Sequence, residues 1–229
     1  MLAKLIEWRD LATDVRHFVF EAPEVKELYF IPGQFVSFTE EFESKKITRP
    51  YSIASAPGGN RFELVLNRVP DGLFSPHLFA LNPGETIEMS APLGYFVLRN
   101  PGIDSVFVAT GTGVGPFRSI LQAYLGQGDE RQITLIFGVR YESHLMYRDE
   151  FETLARDHPN FRFWPTLSRP EPSWTGRSGH VQTHLMEALG DRRDLDVYIC
   201  GLKAMVDETR AMLKSLGFDR KQVIYEKYD

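Results

Sequence analysis

The strongest constraint on this chain is a change of rhythm close to residue 100. Before it, apolar residues alternate or run together over short stretches, such as residues 15–20, 34–38 and 61–66. Tight-turn sequences separate them: Ile31-Pro32-Gly33, Ala56-Pro57-Gly58-Gly59-Asn60, Pro70-Asp71-Gly72 and Asn82-Pro83-Gly84. About six short strands closed by such turns predict a small antiparallel barrel, with one helical stretch over residues 75–81. After Asn100-Pro101-Gly102, apolar strand-like runs alternate with amphipathic helical ones, the pattern of a parallel sheet with crossover helices. Strands are expected at residues 106–109, 133–137, 161–167, 197–199 and 223–225. In the last helix Val206, Thr209, Leu213 and Leu216 keep helical spacing, and Gly217 stands where a left-handed C-terminal cap belongs. The expected architecture is β followed by α/β: an antiparallel β-barrel domain over residues 1–100, then a parallel-sheet domain over residues 101–229. Phe18, Phe20, Phe35 and Phe38 are expected in the barrel core.

Composition narrows the partners. With 43% apolar and 25% charged residues, the 229-residue chain is ordinary globular material, neither disordered nor coiled coil. A formal charge of −5 argues against the broad basic face that nucleic acid requires. No apolar run reaches the ~18 residues of a membrane span. Acidic residues in the first ten positions speak against a signal peptide. The single cysteine, Cys200, excludes an internal disulfide and any iron–sulfur cluster held by these residues alone. A reduced, cytoplasmic protein is expected.

Two segments carry chemistry. Ala109-Thr110-Gly111-Thr112-Gly113-Val114-Gly115-Pro116-Phe117 joins the first strand of the second domain to its first helix. Glycines let a ligand approach the backbone, and the helix start offers unpaired N–H groups and partial positive charge, which suits a pyrophosphate. The spacing is G-x-G-x-G rather than G-x-G-x-x-G, and the Lys-Ser/Thr of a phosphate loop is missing, which counts against an ATPase or GTPase. Taken alone, the segment is equally a tight turn without a ligand. Arg49-Pro50-Tyr51-Ser52 gathers a guanidinium, an aromatic plane and a hydroxyl on one extended stretch, with Arg49 and Tyr51 on one face and Ser52 on the other. Alone, it too reads as an ordinary strand.

Together with Gly72-Leu73-Phe74-Ser75, Ser168-Arg169, Cys200-Gly201 and Glu226-Lys227-Tyr228, in this order, these segments resemble the ferredoxin–NADP reductase family along essentially the whole chain. The resemblance implies an FAD-binding barrel followed by an NAD(P)H-binding α/β domain. It also implies hydride transfer between nicotinamide and flavin, and single-electron transfer to a separate carrier. By that resemblance Arg49 holds the FAD pyrophosphate, Tyr51 packs on a ring face and Ser52 hydrogen-bonds near N5. Pro50 and Val65 lie against the cofactor, and Leu73, Phe74 and Ser75 meet the pyrophosphate through backbone N–H groups and the Ser75 hydroxyl. Thr112, Gly113 and Gly201 line the nicotinamide approach. Cys200 and Glu226 stand at the transfer site, and Tyr228 covers the flavin face that nicotinamide must reach. Only Asp229 follows it. On their own, Cys200 reads as a buried small apolar residue at a strand end, as most free cysteines are, and Tyr228 as a frayed end.

A 2′-phosphate calls for arginine where a free ribose hydroxyl calls for a carboxylate. Ser168, Arg169 and Arg177 resemble the family's phosphate site, so NADP is favoured, although Glu142 or Glu171 would suit NADH. His180 and His184, four apart, are read as surface histidines, and no metal site is expected. Lys45-Lys46 with Arg49 forms a basic patch, either a solvated loop or a guide for an acidic carrier. The expected activity is that of a flavin-dependent reductase, monomeric, serving ferredoxin or flavodoxin. The alternatives are an NADH-dependent reductase component of an oxygenase and a non-catalytic flavin-binding subunit that relays electrons.

Overall fold

The computed structural model describes residues 1–228 except Pro101, Gly126 and Asp129. Pro101, in the turn expected between domains, and Asp229, the residue after the terminal aromatic, lie outside the described residues.

The first sheet is built from β1 (Leu2–Ala12), β2 (Val15–Glu21), β3 (Phe35–Phe42), β4 (Lys45–Ser52), β5 (Arg61–Asn67) and β6 (Thr86–Met89). Its strands pair antiparallel in the order β4-β3-β6-β1-β2-β5. An isolated bridge between Ile53 and Leu64 draws the end of β4 towards β5, as a barrel requires. Inward rings fill the middle: Phe18, Phe20, Phe38 and Phe62 are fully buried, with Phe20 edge-on to Phe38 at 5.0 Å and stacked on Phe62 at 5.7 Å. Phe35 departs from the core expected for it. It is half-buried at the start of β3, bridged to Leu93, with Gly94 against its ring. Helix α1 (Phe74–Ala80) packs Phe74 and Leu78 into this core.

The second sheet is wholly parallel. It comprises β7 (Ser105–Thr110), β8 (Ile133–Val139), β9 (Phe161–Leu167), β10 (Arg177–Ser178), β11 (Asp196–Leu202) and β12 (Val223–Tyr228), in the order β10-β9-β8-β7-β11-β12. The five expected strands are all present, and β7 and β11 are buried almost end to end, as central parallel strands are. The helices are α2 (Gly115–Tyr124), α3 (Arg148–Asp157), α4 (Val181–Leu189) and α5 (Lys203–Ser215). The predicted cap of α5 is present. Gly217 has φ +86°, Phe218 N donates to Leu213 O at 3.1 Å and Gly217 N to Lys214 O at 3.1 Å, with Leu213 and Phe218 both in the core. None of the described helices is long and apolar enough to cross a membrane.

One histidine corrects the sequence reading. His180 is the exposed N-cap of α4, but His184 is 7% exposed, with Nε2 3.0 Å from Thr166 Oγ1 and 3.1 Å from the Ser178 carbonyl. It faces the sheet because α4 packs onto β7 and β8, with Thr166 of β9 within hydrogen-bond reach, so its polarity is answered internally.

Residue contacts divide the chain into two units: residues 1–98 with 115–123, and residues 99–114 with 124–229. Most of α2 therefore groups with the barrel, while the glycine-rich turn ahead of it groups with the parallel sheet.

Candidate functional site

In the first unit, β4 is an edge strand, paired on one side to β3. That position tolerates Pro50, which has no N–H to give a second neighbour. Arg49 and Pro50 are exposed, Tyr51 is half-buried and Ser52 is 8% exposed, so the alternation separates guanidinium and hydroxyl as the strand geometry predicts. The Arg49 guanidinium donates to its neighbour's carbonyl, Thr48 O, at 2.9 Å. Among the described residues no carboxylate lies within ion-pairing distance of it.

Tyr51 connects this segment to the second expected phosphate arm. Its ring lies 5.7 Å from Phe38 and 6.1 Å from Phe74. Burial pushes its phenol well above the ordinary value, so it stays neutral at any physiological pH. Leu73 is exposed beside buried Phe74, and Ser75 Oγ accepts from Val69 N at 2.9 Å, which fixes the loop leading into α1. Arg49-Pro50-Tyr51-Ser52 and Gly72-Leu73-Phe74-Ser75 are thus brought together through Tyr51 and Phe74. Val65 is buried on β5, in contact range of the face Gly115 presents. An exposed guanidinium with no carboxylate partner among the described residues, a half-buried aromatic plane on its own face of the strand and a hydroxyl on the other make a donor set that fits the pyrophosphate and planar ring of FAD.

In the second unit, strand order places the site. β7 is the first strand of the sheet in sequence and has β8 on one side and β11 on the other, so the order in which strands are added reverses between β7 and β11 although all run parallel. Open α/β sheets bind ligands outside the carboxyl ends of their strands at such a point. Those ends carry Thr110-Gly111-Thr112-Gly113 and Cys200-Gly201. They pack so closely that a Cβ on Gly113 would strike the Cys200 carbonyl and come within 2.8 Å of Gly201 Cα. Gly111, at φ +54°, has open space where its side chain would stand, leaving backbone accessible to a ligand. Thr112 is 8% exposed. These features fit a nicotinamide dinucleotide.

β12 pairs Glu226 with Cys200 and Tyr228 with Leu202. Cys200, Glu226 and Tyr228 therefore gather at one end of the sheet. Cys200 is fully buried, and burial first, then the nearby Glu226 carboxylate, push its thiol well above the ordinary value. A hydrogen bond with the Tyr228 hydroxyl acts in the opposite direction. The thiol is therefore protonated, a neutral group rather than a nucleophile.

The expected phosphate-binding residues do not share one state. Ser168 and Arg169 follow β9, and the Arg169 N–H donates to the Arg140 carbonyl at 2.9 Å, setting two exposed arginines on adjacent strand ends. Arg177 is engaged within the protein. Its Nη2 donates to Glu187 at 2.8 Å and its guanidinium lies 3.8 Å from the Trp164 ring. Arg140 appears in the sequence only as a loop arginine, and Glu187 as an exposed helix position. The pairing of strand ends is what gives both their meaning.

Comparison with known proteins agrees with both halves. An oxidoreductase FAD-binding domain matches residues 2–98 and an oxidoreductase NAD-binding domain matches residues 107–211. The chain is 43% identical to Ferredoxin–NADP reductase B of Sorangium cellulosum, over 99% of this chain and 97% of that protein. It is 30% identical to the anthranilate 1,2-dioxygenase electron transfer component of Acinetobacter baylyi, over 89% of this chain but 60% of that protein. A crystal structure of an Amycolatopsis cytochrome P450 reductase matches with a TM-score of 0.88 at 30% identity, covering 98% of this chain and 68% of that one. The chain belongs to the ferredoxin–NADP reductase family, whose FAD-binding and NAD-binding oxidoreductase domains it carries in that order.

Proposed function

We propose that this chain is a ferredoxin–NADP reductase, moving electrons between NADPH and a one-electron carrier, ferredoxin or flavodoxin, through FAD. The observation that carries this reading is the end-to-end likeness to Ferredoxin–NADP reductase B, 43% identical with 97% of that protein spanned. Residues 1–100 are assigned to FAD and residues 101–229 to NADPH. When bound, flavin exchanges electrons with nicotinamide as a pair and releases them singly.

The chain's own residues bind, orient and shield. Arg49, with the Leu73, Phe74 and Ser75 backbone and the Ser75 hydroxyl, would neutralise the FAD pyrophosphate. Pro50 fixes the backbone between Arg49 and Tyr51, Tyr51 and Val65 support the ring, and the Ser52 hydroxyl would donate near N5. Thr112, Gly113 and Gly201 would admit the nicotinamide end, beside Cys200, Glu226 and Tyr228. Ser168 and Arg169 would take the 2′-phosphate, with Arg177 available only by leaving Glu187. A monomer working in the cytoplasm completes the proposal, in keeping with an acidic net charge of −5 and a single thiol.

Ser52→Ala tests the flavin assignment. Loss of one positioned hydrogen bond should slow flavin reduction by about 10-fold while FAD stays bound. An unchanged rate in rapid mixing would remove Ser52 from that role. The likeness to a dioxygenase electron transfer component favours one second reading, an NADH-dependent oxygenase reductase. Faster reduction by NADH than by NADPH would select it.

A further inference from the structure

The segment that follows the Arg-Pro-Tyr-Ser stretch has outrun its sheet. β4 ends at Ser52, and among the described residues only the Ile53–Leu64 bridge continues its pairing. Yet Ile53 and Ala54 are fully buried and Ser55 is 9% exposed. A buried backbone group left without a partner costs about 1–3 kcal/mol. The amides are met inside the barrel, Ile53 N by Gln34 O at 2.9 Å and Ala54 N by Glu63 O at 2.8 Å.

Helix α2 supplies the rest. Arg118 Nη1 donates to Ala54 O at 2.8 Å, Ser119 Oγ donates to Ser55 O at 2.6 Å, and Ala56 N donates to Gln122 Oε1 at 3.0 Å. Three successive residues are thus held by side chains 64 to 66 positions further along the chain. Both anchors are interior: Arg118 is 7% exposed and Ser119 has no exposed surface. The Arg118 charge is answered by the Glu63 carboxylate, and Glu63 N donates to Ser55 Oγ at 3.1 Å, so β5 and α2 grip the same segment from two sides. The helix has taken the place of a missing strand.

We propose that Arg118 and Ser119 are positioning residues of the flavin site. By fixing the carbonyls of Ala54 and Ser55 they hold the end of β4 in place, and with it the directions in which the Arg49, Tyr51 and Ser52 side chains project, without touching the cofactor themselves. This inference rests on the assignment of residues 49–52 to FAD made above. A hydroxyl two residues from the first clamped carbonyl keeps its aim only while that carbonyl is held.

The test compares FAD-stripped wild type with Arg49→Ala, Ser119→Ala, Arg118→Gln and Arg118→Lys. FAD affinity is read from fluorescence quenching, well below each variant's melting temperature. The visible spectrum and flavin reduction potential are read at saturating FAD. Loss of one hydrogen bond in Ser119→Ala should weaken FAD binding about five-fold. Arg118→Gln, which also strands the Glu63 charge, should weaken it by more than about ten-fold, with Arg118→Lys recovering part. Both Ser119→Ala and Arg118→Gln should shift the potential and band shape of the bound flavin. If Arg118→Gln fails to fold, Ser119→Ala and Arg118→Lys decide. Variants that melt earlier yet bind FAD with wild-type affinity, spectrum and potential would overturn the positioning role. If Arg49→Ala also binds FAD normally, the assignment of residues 49–52 is what has failed.

Discussion

Two regions of this molecule hold the same trio of side chains and use it differently. Beside β5, His17 Nε2 lies 3.9 Å from Glu63, which also pairs with Arg118. On α4, His184 Nδ1 lies 3.9 Å from Glu187, which pairs with Arg177. In the barrel the arginine is interior, with 8% of its side chain exposed, and its further hydrogen bond supports the backbone behind the proposed flavin segment. The expected phosphate ligand there, Arg49, is left exposed with its charge unspent. In the nucleotide unit the expected ligand is itself a member of the trio, held by a glutamate whose side chain is 54% exposed. A motif can therefore name a cationic residue correctly by type while the fold decides whether its charge is available.

The largest expected contrast appears in acid. Burial, with help from Arg118 and Arg9 and against the pull of Glu63, lowers the His17 pKa from 6.5 to about 4. The folded state therefore resists a proton that the unfolded chain accepts. Its contribution is complete above pH 6.5 and is lost as pH falls towards 4, by about 3 kcal/mol in all. Urea unfolding across this range should show that slope in the wild type and lose it in His17→Gln. An equal slope in both would place the acid sensitivity elsewhere.

Removing the carboxylates separates the trios next. Glu63→Gln strands a buried guanidinium and should cost about 2 kcal/mol or more, whereas Glu187→Gln breaks an exposed pair and should cost below about 0.5 kcal/mol. Equal losses on denaturation would erase the distinction between a supporting trio and a surface one. The smallest expected effects concern NADP+. Arg169→Ala should raise its Kd about ten-fold and Arg177→Ala less than about three-fold, because Glu187 already answers the Arg177 charge. Calorimetric titration giving equal losses would mean that the ligand displaces Glu187.

Much of this was legible from one sequence because it lies in local pattern. The central strands of the second unit, β7, β8 and β11, are buried apolar runs, and the end of α5 is written in Leu213, Gly217 and Phe218. The glycine-rich turn was visible too. Its place at the reversal point was not, since that depends on β11 returning beside β7. In β1, register shifts between Leu5 and Glu7 and between Asp10 and Ala12 break the period-2 alternation, so its pattern is not legible from apolar spacing. β10 is two residues long and carries no period at all. The burial of His184, the capture of Arg177 and the grip of Arg118 on Ala54 are contacts between elements. In α2 nothing local distinguishes Arg118 from a solvated helix arginine; its partner lies 64 positions earlier.

We propose that this chain moves electrons between NADPH and a one-electron carrier through FAD, and the flavin reports that transfer directly. The most direct test mixes FAD-loaded protein with NADPH or NADH in the absence of oxygen and follows the visible flavin band in stopped flow. FAD uptake is expected, with bleaching that is faster with NADPH. A chain that takes up no FAD, or whose flavin stays oxidised with both nucleotides, would contradict it.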